Sequence, residues 1–265
     1  MWTRLRPYAA AARSSFRRQS TYRGATVAGV FTNTVFGFIL ASVLRAVYGS
    51  RGSAVGNLDV TSAVTFTFVA QGLLSVMGAF GEREVAERVR TGDIATDLYR
   101  PVSFSAWWGS IMLGRASFSF LARGIPPFVV GALVFHLRLP DRPLTWLTFL
   151  VAVLLGALVA SRYWLLVNLC AFWLLDVRGL INLAVVVEMT GSGFLVPLQF
   201  ITGTLGHLLR VGPFATMAQQ PIEVFLQLRS GPAAWMPQLV WLVALEAAVQ
   251  VVLAGATRRV VVQGG

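Results

Sequence analysis

Few residues in this chain have the chemistry for catalysis or ion handling, and most of them stand inside apolar stretches. Glu188 and Glu246 are acids in such stretches. An acid placed there titrates or holds a cation, which is what ion-coupled transport requires. The competing reading pairs each with an Arg of a neighbouring stretch, such as Arg162 or Arg123, so that the charges hold helices in register. Hydrolysis is poorly served. The two histidines, His136 and His207, stand in no HExxH metal motif. Ser192, in a TGSG stretch, has only the distant His207 as a base, and no paired Asp motif is present. Every one of the 22 basic residues is Arg. The phosphate-binding GxxxxGK[ST] loop needs a Lys, so this chain carries no ATP site of that kind. Cys170 is the single cysteine, which leaves no intrachain disulfide.

The densest polar feature is Gly81–Pro101, GEREVAERVRTGDIATDLYRP, with five of the eleven acids and four of the Arg. Such an island lies in water, yet apolar stretches flank it on both sides. Glu84 and Arg88 are four apart with the acid first, the favourable order on a helix. Gly92 suits the position just past that helix, and Asp93 suits the cap of a second one that Pro101 ends. Two short helices against the cytoplasmic membrane face fit this pattern; an ordinary solvated loop fits the composition equally well.

The elements that position these residues are apolar. Of 265 residues, 56% are hydrophobic and only 12% charged, about half the charge of a soluble domain. Spans are expected over 25–48, 61–80, 105–137, 144–172, 179–201 and 235–256. The Pro126-Pro127 pair predicts a kink or break in the third. Residues 1–24, with six Arg and no acid, read as an amphipathic helix on the inner leaflet. Thirteen Arg then fall on inner segments and five on outer ones, which places both termini in the cytoplasm. The net charge of +11 follows this distribution, and no nucleic-acid partner is expected.

Two stretches carry a resemblance. VRTGDIATDLYRPVS, residues 89–103, resembles the R-x-G-x-[IL]…L…RP[VL]S pattern after the second span of ABC-2-type ATP-binding-cassette exporter permeases. The likeness is greatest to the six-span bacterial branch linked to drug, antibiotic or viologen-type export. Residues 192–225 are similar to that family's SG…P…PF…P pattern, at Ser192, Gly193, Pro197, Pro213, Phe214 and Pro221. Many relatives have a Pro where Thr202 or Gly203 stands here.

The resemblance implies an all-α integral membrane protein with six transmembrane helices, one permease domain over 1–265. It implies an N-terminal interfacial helix, a cytoplasmic coupling region over 81–104, and a short outer re-entrant element forming a gate over 202–234. Coupling to a separate nucleotide-binding ATPase would fall to Glu82, Glu84, Val85, Glu87, Arg88, Gly92, Asp93, Asp97, Arg100 and Pro101, with Val89 and Leu98 adding apolar contact. The six residues of the second pattern would seal the outer gate. The pathway would run between two permease chains, identical or not, past Phe66, Phe68, Gln71, Met77, Val187, Phe194 and Leu198. No cofactor is expected on this chain; ATP and Mg would bind the partner. A bacterial cytoplasmic membrane, its lipid included, is the implied setting, and an ion-coupled carrier using Glu188 and Glu246 is the alternative.

Overall fold

In hydrocarbon every backbone N–H and C=O must be bonded within the protein, so apolar stretches of this length form helices. The computed structural model describes residues 2–51, 58–78, 82–174 and 176–259. Its helices are α1 (Trp2–Ser20), α2 (Arg23–Arg51), α3 (Val60–Leu73), α4 (Glu84–Thr91), α5 (Ile94–Leu98), α6 (Phe104–Ser119), α7 (Ile125–Phe135), α8 (Pro143–Leu169), α9 (Arg178–Gly191), α10 (Gly203–Val211), α11 (Pro213–Met217), α12 (Gln219–Phe225) and α13 (Met236–Ala256). Among the described residues, four helical stretches are long and apolar enough to cross a membrane: Arg23–Gly49, Phe104–Phe135, Pro143–Phe172 and Met236–Arg259.

The expected second and fifth spans are shorter than their apolar runs. α3 stops at Leu73 and gives way to turns up to Gly78; α9 stops at Gly191. Each has 14 residues, about 21 Å of helix against a hydrocarbon core of about 30 Å. Residues 52–57, half of the expected loop 49–60, lie outside the described residues, and so does Gly81.

The Pro pair does not break its helix. Phe120–Gly124 forms a π turn between α6 and α7, in which the Ile125 N–H donates to the Phe120 carbonyl five residues back. Pro126 and Pro127 have no N–H to give, and the wider turn lets the chain pass through them as one helix of 32 residues. At this turn Gly124 meets Gly72 of α3 backbone to backbone. A Cβ on Gly124 would stand 2.8 Å from the Gly72 carbonyl oxygen, so the crossing demands glycine there.

α3 runs through the interior, buried from Ser62 to Leu73. Phe66, Val69 and Leu73 join Phe149, Val153, Met217, Ile222 and Phe225 in the main core. α8 and α13 run parallel. Gln238 donates to the Ala152 carbonyl, Arg162 Nε lies 2.5 Å from Glu246 Oε2, and Val249 packs by Leu165. α1 lies lengthwise along α6, with the Tyr8 hydroxyl accepting from the Ser103 N–H at 3.0 Å and Phe16 edge-on to Phe118. It is therefore packed on protein along one side, where the sequence alone suggests a helix resting on lipid.

Candidate functional site

α4 and α5 form a helix–turn–helix at the charged end of the bundle. Gly92 makes the turn at φ +82, a left-handed conformation that glycine adopts without steric cost. Asp93 follows it, but its side chain caps no helix; Oδ2 accepts from the Thr91 hydroxyl at 2.8 Å. The expected Glu84–Arg88 pair is not formed. Arg88 instead reaches Asp97 at 2.5 Å, and Arg100 takes the second oxygen of Asp97 at 3.2 Å. The Asp97 side chain is only 2% exposed, so two guanidiniums around it supply the charge that burial requires. Arg100 also lies over the Trp107 ring at 4.5 Å, which anchors α5 to α6. Pro101 stands exposed in the connection to α6.

Four other helices hold this element. Glu84 accepts both guanidinium nitrogens of Arg18 on α1, at 3.0 and 2.8 Å, and Arg115 of α6 at 2.6 Å. Arg115 also pairs with Glu82. From α8, the Asn168 side-chain Oδ1 accepts the Ala86 N–H at 2.9 Å, and its Nδ2 donates to the Glu82 backbone carbonyl at 2.7 Å. That satisfies an N-terminal donor of α4 from 82 residues away. From α9, the Asn182 side chain accepts from Arg83 at 3.2 Å. Val85 is buried among Ile94, Phe104, Trp108 and Leu165, with Val89 and Leu98 packed against that cluster. Glu82, Glu84 and Val85 therefore face the chain itself. Exposed on this element are Glu87 and Arg90, which pair with each other, Asp93, Arg100, and Tyr99, which is 80% exposed.

A cleft of about 620 Å³ opens between α4 and the 170–178 connection. Arg83, Glu87, Arg90, Asp176 and Arg178 give it a mixed charged rim over an apolar floor of Ala86, Val89, Leu174 and Ile181. Hydrogen bonds from Arg178 hold the Asp176 carboxyl down at about 2, so the rim is ionised at neutral pH. Among the described residues no cluster of His, Cys, Asp or Glu suits a metal.

Residues 31–264 match the family described as ABC-2 family transporter protein. The chain belongs to that family. No curated protein and no solved structure matches the chain.

At the opposite end, this ABC-2 family protein gathers its second set of sequence-predicted residues. Ser192 is buried with its hydroxyl on the Met189 carbonyl, and Gly193 presses against the Gln219 side chain. Pro197 and Pro221 are buried, and Pro213 opens α11. Phe214 meets Tyr163 edge-on at 5.0 Å. A polar knot that the sequence reading missed ties this region. Gln219 Oε1 accepts from the Leu198 N–H at 3.2 Å, and its amide donates to Gln199 at 2.6 Å and to Glu223 at 3.0 Å. Arg229 closes the knot on Glu223 at 2.7 Å. Its only advance signal was polar side chains in a stretch with too few charges for a loop.

The pathway candidates divide. Phe66, Phe68, Gln71, Met77, Phe194 and Leu198 are buried within the one chain, whereas Val187 faces outward beside Leu183 and Val186. Glu246 pairs with Arg162, as the structural reading expects. Glu188 does not pair with Arg162 or Arg123. It is wholly buried, accepting from Trp164 Nε1 at 3.2 Å, and its second oxygen has no hydrogen-bond partner.

Proposed function

We infer that this chain is the permease subunit of an ATP-driven exporter of the six-span bacterial branch. It pairs with a second permease chain, identical or related, and is driven by separate nucleotide-binding subunits that bind ATP and Mg. The observation that carries this reading is the α4–α5 element. It is joined to α1, α6, α8 and α9 by side-chain bonds, yet offers Glu87, Arg90 and Tyr99 outward next to a charged cleft. A load applied at that face passes to four helices at once, which is what alternating access needs from a subunit without a motor. α3 and α9, with the turns that follow each, complete the second and fifth of six crossings. α11 and α12 form the re-entrant outer gate, both termini lie in the cytoplasm, and the setting is a bacterial cytoplasmic membrane.

Exposure and bonding support a division of roles within the element. Glu82 and Glu84 serve the lever's attachment, and Glu87, Arg90 and Tyr99 serve its contact face. The test is a gentle detergent pull-down of the tagged chain with mass spectrometry, on wild type and on a Glu87→Arg, Tyr99→Ala double variant. A P-loop ATPase should co-purify with the wild type and be lost from the variant, while the variant's melting temperature stays unchanged. A wild-type chain that purifies without an ATPase turns the assignment to the ion-coupled alternative. The burial of Glu188 with no ion pair among the described residues supports that second reading, and a Glu188→Gln shift in the pH optimum of transport is its signature.

A further inference from the structure

A cleft of about 300 Å³ lies between the end of α1, the turn after α3 and the π turn, lined by Gln19, Ser75, Gly78, Glu82, Arg115, Ser119 and Arg123. Arg115 is bonded to Glu82 and, outside the lining, to Glu84; with Arg123 the lining still holds two guanidiniums to one carboxylate. Its other polar groups are hydroxyls and an amide, all able to donate. The Ser75 hydroxyl is shut off from solvent and has no hydrogen-bond partner. Donors that outnumber acceptors around a positive recess are the composition of an oxyanion site.

The position says which oxyanion. From Phe135 back to Arg115 is about 20 residues of helix, about 30 Å, one hydrocarbon thickness. Arg115 therefore stands at the bilayer edge, and Arg123, two turns deeper, lies across α2 at Gly29. On the same helix Leu121 and Ile125 are exposed apolar residues, and Val27 and Phe31 of α2 are exposed as well. An anionic headgroup in the cleft would leave its acyl chains against such apolar surface, whereas a free phosphate gains nothing from it. Basic recesses between membrane helices at the leaflet edge are the physical basis of headgroup binding.

We propose that this cleft binds the headgroup of an anionic phospholipid, its phosphate held by Arg123 and Arg115 with donors from Ser75, Ser119 and Gln19. The site wedges lipid between α1 and the π turn, the two elements that flank the Arg115 lever joint. The inference rests on membrane insertion alone and not on the transport assignment, so the two fail separately.

The experiment is native mass spectrometry and thermal unfolding of the full chain, delipidated in detergent. The additions are phosphatidylglycerol, phosphatidylcholine or inorganic phosphate. Phosphatidylglycerol should be retained and raise the melting temperature, and the other two should do neither. Arg123→Gln should weaken phosphatidylglycerol binding about tenfold, the loss of one charge-assisted bond pair. Arg123→Lys should keep most of it. Gln19→Glu, at a half-buried position on α1 with little bearing on folding, should weaken binding through like charge. Equal binding of the two lipids, or Arg123→Gln and Gln19→Glu variants that bind phosphatidylglycerol like wild type, overturns the proposal. Protection by inorganic phosphate equal to that by phosphatidylglycerol also overturns it, in favour of a free-anion site.

Discussion

At the charged end, Glu84 reaches Arg18 and Arg115 across 66 and 31 residues of sequence, whereas at the opposite end Glu223 finds Gln199, Gln219 and Arg229 within 24. The first network ties together helices that also pack on one another, and its members keep partial contact with water, Arg18 at 52% and Glu84 at 32%. Ion pairs of that exposure contribute little each and re-form readily with new partners. The second network is mostly amides in a buried region, where each lost bond leaves a polar group that water cannot reach. One end is fastened by bonds that tolerate displacement, and the other by bonds that do not. That difference suits the lever and the seal proposed for the two ends.

Arg115→Glu should have the largest effect. It removes the hub of the charged network and sets a third acid beside Glu82 and Glu84, at a side chain only 20% exposed. The expected loss is about 3 kcal/mol, because a third carboxylate at a mostly enclosed position is left uncompensated and repelled by both acids, with ATPase-driven transport abolished. Detergent melting together with ATPase stimulation checks it; a variant as stable as wild type removes the distinction between joint and contact face. Next comes Gln219→Leu, which strips the Leu198 N–H and Glu223 of a shared partner. A cost of about 2 kcal/mol is expected, read as faster cleavage of the 192–230 region by protease while 82–101 stays protected. Equal loosening of both ends would show that they are one cooperative unit.

Asn168→Ala should cost about 1 kcal/mol, because it uncaps α4 without touching a charge. Hydrogen exchange should rise at 84–88 and nowhere else. The smallest effect concerns acid. The Asp176 carboxyl sits lower in the folded chain than when free, so its contribution is present above about 4 and is lost as the pH falls to about 2. Exchange in the first turn of α9 should increase over that window and not between pH 5 and 8. Asp176→Asn should flatten the response.

Much of this architecture was legible in the chain itself. Long apolar runs with few charges dictate membrane helices because hydrocarbon leaves the backbone no other way to satisfy its bonds. The dense charge of residues 82–101 excludes that segment from lipid, and Gly92 marks its turn because the left-handed backbone there suits few other residues. Those are local constraints, written residue by residue. Partner choice was not local. With 22 Arg and no Lys, many guanidiniums compete for few carboxylates, and sequence spacing favoured Glu84 with Arg88. Packing of α1 along α6, which itself meets α4, brought Arg18 and Arg115 closer and left Arg88 to the buried Asp97. Hydropathy likewise could not end α3 at Leu73 or α9 at Gly191, since the residues beyond them are as apolar as those within. Only the tertiary structure decided these points, because they depend on which surfaces meet and not on what each segment prefers alone.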